Sequence, residues 1–176
     1  QEQFDVNVFG VMDVTRAILA HFRARRRGTI VNVSSGAGVF GLPMISLYNA
    51  SKFALEGFSE SLSYELASQG ITVKIVEPGG VLDTQFSARS ADEFGQSAAP
   101  PGYEDFVAAT GKVFDSLRSA RLATSEDVAK VIFDAVTDGS DRLRYVATED
   151  IQPLVKARRE TSEDAYMAFM RSRFGA

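Results

Sequence analysis

Two short β-branched runs constrain this chain most. Thr29-Ile30-Val31-Asn32-Val33 follows Gly28 and leads into Ser34-Ser35-Gly36. Ile71-Thr72-Val73-Lys74-Ile75-Val76 follows Gly70 and stops at Pro78-Gly79-Gly80. Runs this short and this apolar read as buried strands of a parallel sheet. Parallel neighbours need a long crossover, and the segment between them has helical spacing. Ser46 to Gln69 carries Ala50, Phe53, Ala54, Gly57, Phe58, Ser61, Leu62 and Leu66 on a stripe whose small residues permit close packing. Upstream, Glu2 to Arg26 places Phe4, Val8, Val11, Met12, Ile18, Leu19 and Phe22 at mostly helical spacing. Arg23, Arg25, Arg26 and Arg27 with Gly28 read as its solvated end. Downstream, Tyr103–Leu117 and Ser125–Thr137 read as helices, the second opened by an approximate capping box at Ser125. Leu143–Ala147 reads as a third strand and Ile151–Arg173 as a charged helix. The alternation predicts one α/β domain: a parallel sheet with helices on both faces, in three layers.

The 176 residues suffice for one core. A net charge of −4 argues against a nucleic-acid partner. There is no cysteine, which removes disulfides and thiolate metal sites and fits a reducing cytoplasm. The single histidine, His21, argues against a histidine-built metal site, so no metal is expected. No apolar run is long enough to span a bilayer, and Gln1–Asp5 does not read as a signal peptide. The chain opens on Gln1 rather than Met, and is expected to be cut from something longer.

Ligands of such sheets bind at the carboxyl ends of the strands. Tyr48-Asn49-Ala50-Ser51-Lys52 places a phenol and an ammonium one helical turn apart, on one face near a helix start. A phenol titrates near 10, too high for proton transfer at neutral pH. A lysine cation and the positive helix end are expected to lower that value, so that Tyr48 gives a proton to a carbonyl or takes one from an alcohol. Ser35, at the exit of the first strand, could hydrogen-bond the same oxygen.

Ile30-Val31-Asn32-Val33-Ser34-Ser35, Tyr48-Asn49-Ala50-Ser51-Lys52 and Val76-Glu77-Pro78-Gly79 together resemble the successive signatures of the short-chain dehydrogenase/reductase family, and Asp5-Val6-Asn7-Val8-Phe9-Gly10 resembles its asparagine segment. The likeness runs from the first residues to Val81 and more loosely to Tyr145. It implies a Rossmann-like fold, here the carboxy-terminal part of it, spanning 1–176 with a substrate loop or lid at 83–124. It implies hydride transfer between NAD or NADP and a small carbonyl or alcohol. Tyr48 is the implied general acid/base and is also implied to touch the bound cofactor. Lys52 binds the nicotinamide ribose and tunes Tyr48, Ser35 orients the substrate oxygen, and Asn7 supports a water that relays protons from Lys52. Pro78 and Gly79 shape the loop under the nicotinamide, with Val81 near its carboxamide. In the family a threonine that holds the carboxamide follows Pro-Gly by four positions. Asp83 stands there and Thr84 comes one later, so Thr84 is the candidate.

The family's Gly-rich pyrophosphate loop lies upstream of the asparagine segment and has no counterpart here. Gly36-Ala37-Gly38-Val39-Phe40-Gly41 matches Gly-x-Gly-x-x-Gly only as letters, since Leu42-Pro43 follows instead of a helix. About three strands of the usual seven are expected, with an edge strand open to association. The two long helices form much of the family's dimer interface, so a homo-oligomer, dimer or tetramer, is implied. A non-catalytic binding or oligomerisation module is the alternative. Phe86, Phe94, Tyr103 and Phe106 hint at an apolar pocket beside the lid.

Overall fold

The β-branched runs pair with each other. In a computed structural model describing residues 1–81, 83–86, 99–119 and 123–175, β1 (Gly28–Val33), β2 (Ile71–Glu77) and β3 (Arg144–Val146) form a parallel sheet in the order β1-β2-β3. Ile30 lies opposite Val73, and Val76 opposite Tyr145. The helices are α1 (Glu2–Phe4), α2 (Val11–Arg25), α3 (Ser46–Ala67), α4 (Glu104–Ser119), α5 (Ser125–Thr137), α6 (Gln152–Glu160) and α7 (Glu163–Phe174).

Side-chain alternation along β2 divides the core. Ile71 and Val73 pack with Ile30, Leu62 and Leu66, backed by Leu19 and Phe22, on the α2/α3 face. Val76 packs with Ala135 and Tyr145, beside Val31, Val128 and Ile132, on the α5 face. Helices therefore cover both faces, as the three-layer Rossmann-like reading requires. Ile75 and Val76 are fully buried at the strand end, each contributing about 1.5–3 kcal/mol by leaving water. A third cluster seats Val39 and Phe40 on Ile151, Leu154 and Val155 of the α6 region and on Tyr166 and Met170 of α7.

Several local expectations are corrected. The first helix is not uniform: a π-helical turn, Asp5–Gly10, separates α1 from α2. It closes through Arg26 in the left-handed region, not at Gly28, which starts β1. On α3, the stripe marked by Ala50, Phe53, Gly57 and Ser61 faces outward, and Ser51, Leu55, Ser59, Leu62 and Leu66 are buried. The serines can face inward because Ser59 Oγ donates to Leu55 O (2.7 Å) and accepts from Asn32 Nδ2 (2.8 Å). The capping box of α5 belongs to Thr124 and Asp127, one residue earlier than expected. Ile151–Arg173 is two helices, parted at Thr161-Ser162, where Ser162 caps the second. Of the predicted loop Asp83–Gly102, only 83–86 and 99–102 lie among the described residues.

Candidate active site

The exits of all three strands open on one cleft of about 670 Å³. Asn7, Ser35, Tyr48, Lys52, Pro78, Gly79, Val81 and Thr84, singled out from sequence, all line it.

Tyr48 sits in the first turn of α3, with Lys52 one turn on. Lys52 Nζ lies 5.8 Å from the centre of the Tyr48 ring and donates to Val33 O at 3.1 Å. An ammonium has three donors, so others remain for a ligand. Ser35 is held by its own turn. Its Oγ accepts from Ala37 N at 3.1 Å, opening the buried 3₁₀ turn Gly36–Gly38, and its hydroxyl meets the Tyr48 phenol. That turn presents no helix start, so the Gly-x-Gly-x-x-Gly letters are not a phosphate loop. Asn7 projects from the π-helical turn. Its Nδ2 donates to Ser51 Oγ at 3.1 Å, and Ser51 Oγ donates to Tyr48 O at 2.8 Å. The asparagine is thus tied to the helix that carries the phenol.

The electrostatics differ from expectation. Burial pushes the Tyr48 phenol above its ordinary value, and the Ser35 hydrogen bond offsets this only in part. Lys52 does not bring it below 10. Burial also lowers Lys52 itself, against the pull of Glu56 one turn further along α3. The phenol therefore keeps its proton at neutral pH and is poised as a donor. Glu56 is buried in turn and its carboxyl is raised, first by that burial.

Other residues were not legible as site residues. Gly79 N donates to Thr148 Oγ1 and Gly80 N to Asp150 Oδ2, both at 2.8 Å, and Asp150 lines the cleft. An acidic residue after a strand end is the only sequence signal for them. Asp83, where the family pattern has threonine, turns away. Its carboxylate accepts from Ser125 N (2.9 Å) and Ser125 Oγ (2.8 Å) at the start of α5. Thr84 lines the cleft in its place, Oγ1 lying 3.5 Å from Val81 O. Phe40, Leu42, Ile45, Phe114, Ile151 and Leu154 make most of the wall apolar. Of the aromatics noted beside the lid, Phe86 reaches the cleft, its ring 5.7 Å from that of Tyr48. Tyr103 and Phe106 pair with each other instead, at 6.5 Å, and Phe94 lies outside the described residues.

A phenol, a hydroxyl, an ammonium and a carboxamide line the same cleft as the Pro78–Val81 loop. That donor set fits the ribose and carboxamide end of a nicotinamide nucleotide, which offers hydroxyls and an amide to such groups.

Residues 1–94 match the short chain dehydrogenase family. An uncharacterized oxidoreductase of Schizosaccharomyces pombe is 34% identical over 174 residues, which cover 98% of this chain and 70% of that protein. Retinol dehydrogenase 8 of Bos taurus is 32% identical over 163 residues, covering 88% of this chain and 51% of the relative. The crystal structure of a short chain dehydrogenase/reductase from Burkholderia phymatum in complex with NAD superposes with a TM-score of 0.66 at 28% identity, covering 89% of this chain and 56% of that one.

Proposed function

The chain belongs to the short chain dehydrogenase family, and on that premise we propose that the protein moves a hydride between NAD or NADP and a carbonyl or alcohol carbon, with Tyr48 as general acid/base. The observation that carries this is the meeting of the Tyr48 phenol with Ser35, next to Lys52, in a cleft. When bound, the nicotinamide supplies or accepts the hydride. The chain's own residues handle the proton and the geometry. Tyr48 gives its proton to the carbonyl oxygen during reduction and takes one back during oxidation. Ser35 donates to the same oxygen and fixes its position. Lys52 holds ribose hydroxyls with the donors that Val33 leaves free, and its charge steadies the phenolate once the proton has left. Asn7 keeps a proton path open from Lys52 to solvent. Pro78, Gly79, Val81 and Thr84 form the nicotinamide side of the cleft.

The apolar remainder of the wall favours a substrate that is mostly hydrocarbon around one carbonyl or hydroxyl. The likeness to retinol dehydrogenase 8 supports the same class. The test is nicotinamide-dependent turnover of apolar aldehydes and ketones by the full-length protein. Tyr48→Phe should lower kcat by about 10²–10⁴ while leaving nucleotide binding intact. Turnover that survives the substitution would remove Tyr48 from its role.

A further inference from the structure

We propose that Thr148 and Asp150 are positioning residues that set the shape of the Pro78–Val81 loop for nicotinamide binding; this rests on the oxidoreductase reading above. Two successive amides of the loop are claimed by one short segment beyond β3. Gly79 N donates to Thr148 Oγ1 and Gly80 N to Asp150 Oδ2, each at 2.8 Å. From the other side, Gly36 N donates to Pro78 O at 2.8 Å, so the exit of β1 is tied to the same loop. The fit is close. A Cβ on Gly79 would stand 2.5 Å from both Asp150 carboxylate oxygens and 2.5 Å from Ile151 Cγ2. The loop therefore rests directly on Asp150-Ile151, with no space for a side chain between.

Backbone amides left free in a loop find alternative turns. Fixing two neighbours in one direction selects one of them. Thr148 and Asp150 thus act on a ligand through Gly79 and Gly80. Ile151 continues from this support into the cleft wall, so one segment steadies the nucleotide side and lines the substrate side.

The experiment compares the full-length protein with its Asp150→Ala, Asp150→Asn and Thr148→Val variants. Binding of NADH and of NADPH is followed by fluorescence titration, and exchange of the Gly79 and Gly80 amides by hydrogen–deuterium exchange. Asp150→Ala should weaken nucleotide binding about five- to tenfold and speed exchange at Gly80, because a half-buried amide loses its acceptor. Thr148→Val should do the same at Gly79. Asp150→Asn keeps an acceptor oxygen and should recover most of the affinity. The pH profile of turnover should not move, since no group that titrates in the reaction is touched. Equal binding by wild type and Asp150→Ala, or an Asp150→Asn as weak as Asp150→Ala, overturns the assignment alone. A wild type that binds neither nucleotide overturns the oxidoreductase reading and the assignment with it.

Discussion

Arg159→Met tests how the end of β2 is held. Glu77, the residue before the Pro78–Val81 loop, has no exposed surface. Arg159 donates to it twice, Nη1 to Oε2 at 3.1 Å and Nη2 to Oε1 at 2.6 Å, and Arg144 Nε stands 3.6 Å from Oε1. Removing one partner of a buried ion pair costs about 3–5 kcal/mol, because the other charge is left without compensation. Two features reduce this. Arg144 remains, and the Arg159 side chain is 34% exposed, so water can reach the gap. The expected loss is about 2–3 kcal/mol, which for a chain of this size lowers Tm by about 4–12 °C. Urea denaturation and calorimetry at neutral pH measure it. Adding Glu77→Gln to Arg159→Met should return about 1 kcal/mol or more, since the buried charge goes too. A single-mutant loss below about 0.5 kcal/mol, with no recovery in the double mutant, would show that Arg144 alone satisfies Glu77 and refute the reasoning.

A second ion pair gives a pH signature. Hydrogen bonds from Lys74, then Tyr145 and Ser140, hold the Asp138 carboxyl below its ordinary range. Burial alone would lower Lys74, but its bonds to Asp138 (2.6 Å) and Tyr145 (2.8 Å) outweigh that and raise it. Stability from the depressed carboxyl is present above the ordinary Asp value and fades as pH falls below it; that from the raised amine is present below the ordinary Lys value and fades above it. Asp138→Asn should flatten both limbs in thermal melts run across pH, and unchanged limbs would contradict this. In turnover, the raised Tyr48 phenol predicts that alcohol oxidation climbs into alkaline pH while carbonyl reduction holds through neutrality, read from kcat/KM profiles. An oxidation limb that levels off near neutral pH would count against Tyr48 as the base. The exposed Val6, Phe9 and Val14 near the amino terminus and Leu47, Phe53 and Tyr64 on α3 predict self-association of the full-length protein by sedimentation, weakened by Phe53→Glu. A monomer at micromolar concentration would oppose it.

The strands, the main helices and the convergence of Ser35, Tyr48 and Lys52 were legible because each rests on local spacing, whereas Asn7 entered only through the family resemblance. β-branched runs mark strands, and a helical turn aligns Tyr48 with Lys52. What stayed hidden depends on partners distant in sequence. Ser51 and Ser59 look outward by hydropathy, yet they are buried because Tyr48 O, Leu55 O, Asn7 and Asn32 satisfy their hydroxyls. Thr148 and Asp150 reach the site only by parallel pairing of β2 with β3, which brings their segment beside Gly79. Thr124 capped α5 one residue before the expected position because Asp127, not Val128, supplies the returning carboxylate. A nearby lysine and the helix start are expected to lower Tyr48, yet its burial, offset only in part by Ser35, leaves the phenol raised.

The cluster under Phe40 carries a consequence for synthesis. The turn that holds Ser35 is seated, through Val39 and Phe40, on Tyr166 and Met170, which are made after all three strands. On the ribosome, β1, α3 and β2 emerge and can assemble while that turn still lacks its floor. The Ser35 hydroxyl is therefore fixed only after the sheet, and a nascent chain stopped before Glu163 should leave Gly36–Leu42 open to protease although the sheet has formed.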